Sequence, residues 1–136
     1  MVNEKAQKHI EQWKHNRRFV TTIDRAYRDW QINAIFYTAL HLVDAALASL
    51  NVSVSDHTQR NDEIRGNGSF AAIRHPYLNL YRISQITRYD ADPDKWIPTQ
   101  FTEIKDLVHQ VYRPIEEGLF PLIDKKMKYE PLAVRG

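Results

Sequence analysis

Cysteine is absent from this 136-residue chain, which excludes disulfide cross-links and thiolate metal sites. A cytoplasmic protein is the expectation from that usage. Glycine is scarce, with four residues, and two of them form the Gly66-Asn67-Gly68 break. Period-two alternation of apolar residues is rare, so little strand is expected. Low-complexity blocks and charge runs are missing too, and with them the signature of long disordered tails. The opening residues, Met1 to His9, have no apolar core of the kind a secretory leader needs. The longest apolar run is interrupted by Asn33, His41 and Asp44, so neither a membrane span nor a membrane partner is expected. Charge of one sign is also in short supply: the net value is +2, too weak to demand a nucleic-acid partner and no bar to one.

What is present is helical spacing, in a chain with 43% apolar and 26% charged residues, enough for one domain with a real core. Ala6, Ile10, Trp13, Val20 and Ile23 mark a first helix over Glu4 to Tyr27, with Asn3 as its cap. The basic residues Lys14, His15, Arg17, Arg18, Arg25 and Arg28 on this stretch suit a phosphate backbone or a merely solvated face. Trp30 to Leu50 is apolar on most of its circumference and belongs inside a bundle. A short helix, His57 to Arg65, follows with Ser55 or Asp56 as cap. Ser69 caps a fourth, Phe70 to Tyr89, which begins at Pro76 or kinks there. Asp90 to Pro98 reads as a loop. The last helix runs from Thr102 to Lys126, capped by Thr99 or Thr102 and bent or split by Pro114 and Pro121, and the tail from Met127 to Gly136 reads as loose. The sum is a single all-α domain over residues 1–136, an up-and-down bundle of four long helices and one short one, with its core near residues 5–125.

Two constellations carry chemistry. Tyr37, His41 and Asp44 stand at i, i+4 and i+7, on one helix face. They form either a buried hydrogen-bond ladder or a proton-transfer site in which Asp44 orients His41. A metal reading would add His109 or His75, but neither has an acidic residue at the spacing seen in helical metal sites, so no metal or other cofactor is expected. His57 and Arg60 share a face with Ile64. An arginine can brace a phosphate through two parallel hydrogen bonds, and a histidine can move a proton near neutral pH. Tyr81, Ser84, Arg88 and Tyr89 add phosphate-compatible groups, or a cation-rich helix end.

The succession Phe36-Tyr37-Thr38-Ala39-Leu40-His41, then His57-x-x-Arg60, then Tyr81-x-x-Ser84-x-x-x-Arg88-Tyr89 resembles proteins of the HEPN superfamily over residues 5–125. The resemblance implies a homodimeric helical bundle and metal-independent endoribonuclease activity. Its setting would be a toxin–antitoxin, CRISPR-linked or phage-defence system. Partners would be RNA and a nucleotidyltransferase-type antitoxin or defence-complex subunits. It also allows a non-catalytic module that binds RNA, nucleotide or protein. The family's usual signature, an arginine four to six residues before a histidine, is missing here. The reversed pair His57-x-x-Arg60 stands in its place. On the resemblance, His57 would transfer the proton and Arg60 would stabilise the scissile phosphate, with Tyr37, His41, Asp44, Ser84, Arg88 and Tyr89 in support.

Overall fold

A computed structural model describes residues 2–90, 101 and 103–135, and every regular element among them is helical. The elements are α1 (Glu4–Val20), α2 (Arg28–Ser49), α3 (His57–Gly66), a 3-10 turn (Gly68–Phe70) and α4 (Arg74–Tyr89). A last rod joins α5 (Ile104–Leu107), a π-helical turn (Val108–Tyr112) and α6 (Arg113–Ile123). These make the expected bundle of four long helical stretches and one short helix. The loop from Asp90 to Pro98 falls, beyond Asp90 itself, outside the described residues, as do the caps Thr99 and Thr102.

Helix boundaries follow from local chemistry. Asn3 accepts from the Ala6 amide at 2.8 Å and opens α1 as expected. The helix stops at Val20 rather than Tyr27. Thr21 and Thr22 turn their hydroxyls back onto the carbonyls of Arg18 and Phe19, both at 2.7 Å, and Asp24 caps a tight turn through the Ala26 amide. Asn51, at φ 60°, ends α2, with the Val52 amide on the Leu47 carbonyl at 2.9 Å. Asp56 caps α3 through the Gln59 amide, while the Gln59 side chain returns to the Ser55 amide, both at 2.8 Å.

The fourth helix begins at Arg74, later than the Phe70 start expected. Pro76 sits in its first turn, where a missing N–H costs nothing, so no kink is needed. The residue expected to cap it, Ser69, instead gives its amide to Asn67 and belongs to the 3-10 turn. In the last rod the π turn lies immediately before Pro114, whose ring excludes the ordinary bond to the preceding turn. This rod starts at Ile104 and ends at Ile123, three residues short of Lys126.

α2 is the axis of the fold, packed on α1, α4 and α6. It is long and apolar enough to cross a membrane by length and composition, yet 72% of its most apolar window is buried against the other helices. That is the pattern of a core helix. The segment after α6, expected to be loose, is instead an extended strap on α1 and the start of α2. Leu132 is buried, the Tyr129 ring meets Trp13 edge-on at 4.6 Å, and Gln31 donates to the Arg135 carbonyl at 2.7 Å. Arg17 reaches the Glu130 carbonyl and the fully buried carboxylate of Glu116, which also accepts from Arg113 at 3.0 Å and from the Tyr112 hydroxyl at 2.6 Å. Three elements are thus tied through one buried charge.

Close packing is tightest where α6 crosses the 3-10 turn region. A Cβ on Gly118 would stand 2.3 Å from Cγ2 of the buried Ile73. Gly118→Ala is therefore expected to cost about 1–3 kcal/mol by overpacking, even though alanine is the better helix former. Urea unfolding will measure it, and adding Ile73→Ala should recover part of the loss.

Candidate functional site

Four of the polar side chains of α2, Asn33, Tyr37, His41 and Asp44, stand in a single line along a helix that is mostly buried. Each meets a partner from another element. Asn33 accepts from the Thr87 hydroxyl at 2.6 Å, and Tyr37 Oη accepts from Arg88 Nη1 at 2.7 Å, both on α4. His41 Nδ1 faces His9 Nδ1 of α1 at 3.2 Å. Asp44 accepts two bonds from Arg60 of α3, from Nε at 2.7 Å and from Nη2 at 3.1 Å. Tyr37, His41 and Asp44 thus each tie α2 to a different helix, but at a part-exposed seam and not as the buried ladder expected, since Tyr37 is 37% exposed.

Arg60 points inward with Ile64, as the spacing suggests, and its side chain is only 8% exposed. Its Nε/Nη2 edge is already on Asp44, so the two-bond brace expected for a phosphate is spent on a carboxylate. Burial opposes the guanidinium's charge, but the Asp44 hydrogen bonds and charge outweigh it and hold Arg60 firmly protonated. Its remaining Nη1 lies 3.4 Å from His57 Nδ1. A guanidinium can only donate, so Nδ1 accepts and Nε2 carries the proton of the neutral ring. Burial first, then the positive charges of Arg60 and Arg88, depresses the His57 pKa. His57 is thus a half-exposed neutral imidazole that presents an N–H, oriented by an arginine that a buried carboxylate fixes in turn.

The His57 ring lies 5.5 Å from that of Tyr81, 5.9 Å from Phe36 and 6.5 Å from Tyr37, which joins it to the α4 cluster. There Ser84 gives its hydroxyl to the Tyr81 carbonyl and accepts from Arg88 Nη2 at 3.3 Å. The Arg88 guanidinium lies over the rings of Phe36, Tyr37 and Tyr89, at 5.4, 5.6 and 5.4 Å. Beneath it, Tyr77 is buried with its hydroxyl unpartnered, and burial raises its phenol well above the ordinary value.

Arg88 and Tyr37 also line a groove of about 530 Å³ between the end of α1, the start of α2 and the end of α4. Phe19, Trp30, Asn33 and Thr87 line it as well, and so does the acidic residue Asp29. Phe19 and Trp30 are 54% and 62% exposed, an unusual presentation for such large apolar rings. Sequence reasoning placed both residues in helices but missed the groove, because it exists only where three helix ends converge. Contacts link the expected site residues from Asp44 through Arg60, His57 and Tyr37 to Arg88 and Tyr89, with Arg60 and Ser84 buried rather than on a surface. His75 and His109 are exposed elsewhere.

Burial also lowers the His41 pKa. With His41 and His57 both depressed, the unfolded chain binds more protons than the folded one between the folded pKa values and the ordinary histidine value near 6.5. Stability is expected to fall as pH drops through about 6.5 and to level off below the folded values. Urea midpoints from about pH 7.5 to 5.5 will show this slope, and His57→Gln should flatten it.

Comparison of the chain with protein-family models, with curated proteins and with solved structures returns no match.

Proposed function

We propose that this chain is a HEPN-like helical module that binds single-stranded RNA along the α2 seam and the adjoining groove. One observation carries the reading: a guanidinium spread over three aromatic rings at the mouth of an open groove walled by two further exposed rings. Aromatic faces accept stacked bases of any sequence, and an arginine beside them meets the phosphates. Asn33 and Thr87 offer polar edges at the groove's base, and the His57 N–H extends the same face. The choice of RNA over other single strands rests on the HEPN resemblance, as does the expectation of a homodimer.

The test is binding of a short fluorescent single-stranded RNA by anisotropy in EDTA. Trp30→Ala is expected to weaken affinity by about 5- to 150-fold, the equivalent of about 1–3 kcal/mol for one lost stacking partner. Arg88→Ala should lower affinity and also flatten the salt dependence by about 0.7 in log–log slope, one phosphate contact. Unchanged binding by Trp30→Ala would remove the groove from the interface.

Cleavage is the second reading, and the half-exposed His57 favours it. A neutral ring cannot surrender its Nε2 proton without becoming imidazolate, so His57 would deliver a proton to a leaving ribose oxygen only as the imidazolium, in the acidic range to which its depressed pKa confines that form. RNA turnover in EDTA that is lost in His57→Gln while binding persists would assign that step to His57. Equal turnover in both proteins would exclude it.

A further inference from the structure

The groove leaves one part of the seam unexplained: the place where α1 meets α2. His9, His41 and Asp44 each offer one ligand atom there, and the three atoms lie within 4.8 Å of one another. The two imidazoles turn the same nitrogen inward, Nδ1 to Nδ1 at 3.2 Å, with their rings 29° from parallel. Around a tetrahedral ion with metal–nitrogen bonds of about 2.0–2.1 Å, two nitrogen ligands stand roughly 3.3 Å apart. The contact therefore already has the spacing of a ligand pair.

We propose that His9, His41 and Asp44 bind one divalent transition-metal ion of the Zn²⁺, Co²⁺ or Ni²⁺ class, clasping α1 to α2. Two imidazoles and a carboxylate are the donor set these ions prefer over Mg²⁺ or Ca²⁺, which favour all-oxygen sites. Asp44 accepts one Arg60 bond on each oxygen, and each oxygen retains a second lone pair for the metal. Arg60 then serves as the outer group that fixes the ligand's orientation, as hydrogen-bonded carboxylates at metal sites require. Three protein ligands leave a fourth position for water. All three residues are half-buried, so an ion can enter from the seam without unfolding the bundle.

The rival explanation is that one neutral imidazole donates its Nδ1–H to the other and no ion binds. Untagged protein stripped with chelator, then titrated with Co²⁺, separates the two. The expected result is one Co²⁺ per chain with the visible absorption of a tetrahedral site. His9→Gln and His41→Gln should each weaken uptake by more than about tenfold. Zn²⁺ should raise the unfolding midpoint of the wild type and leave that of His9→Gln unmoved. Absence of both the absorption band and the Zn²⁺ shift in the wild type, or Co²⁺ uptake by His9→Gln equal to the wild type's, would overturn the site. RNA binding is measured in EDTA, so failure of either proposal leaves the other standing.

Discussion

A helix buried on nearly every side can carry polar groups only where its own carbonyls or other elements reach them, and four on α2, in one line, are met by other elements. Each unpaired buried polar group costs about 1–3 kcal/mol, and an unpaired charge costs more. The line of Asn33, Tyr37, His41 and Asp44 therefore dictates what must come beside it: Thr87 and Arg88 from α4, His9 from α1 and Arg60 from α3. The contacts that α1, α3 and α4 make with this line are also the contacts that assemble the candidate site. A seam that satisfies its own hydrogen bonds also leaves a row of polar edges at the surface, which is where chemistry can be placed on a bundle.

Buried charge is distributed with the same economy. Among the described residues Asp44 is held by Arg60 at the seam, and Glu116 by Arg17 and Arg113 under the C-terminal strap. Arg60 is spent on Asp44, so its influence on the face is indirect, through the orientation and tautomer of His57. Arg17 and Arg113 are spent on Glu116, so one of the basic residues of the first helix that suit a phosphate backbone, Arg17, is an internal fastening instead. Arg88 is different. Among the described residues its partners are a tyrosine hydroxyl, a serine and three ring faces, none of them a carboxylate. It keeps its net positive charge at the groove, the property a polyanion would sense.

Much of the architecture was legible beforehand. Helical periodicity, the caps at Asn3 and Asp56, and the all-round apolarity of α2 each correspond to local rules that do not wait for tertiary contacts. The inward set of Arg60 with Ile64 followed from three- and four-residue spacing alone. Boundaries were less legible wherever a side chain competed with the backbone. Thr21, Thr22 and Asp24 close a helix that apolar periodicity would have continued through Ile23. The strap was invisible to periodicity because it is extended, and its hold on the bundle comes from single residues, Tyr129 and Leu132, meeting a surface made elsewhere.

The sequence by itself determined a cysteine-free helical bundle, a central apolar helix and the polar line upon it, because those depend on residue type and near-neighbour spacing. Only the tertiary structure decided that Arg60 is engaged by Asp44, that His9 comes to His41 across 32 positions of chain, and that Phe19, Trp30 and Arg88 frame one groove. The physical reason is the register between helices. Which turn of one helix faces which turn of another is set by the sum of many weak packing contacts, and no local pattern of residues encodes it.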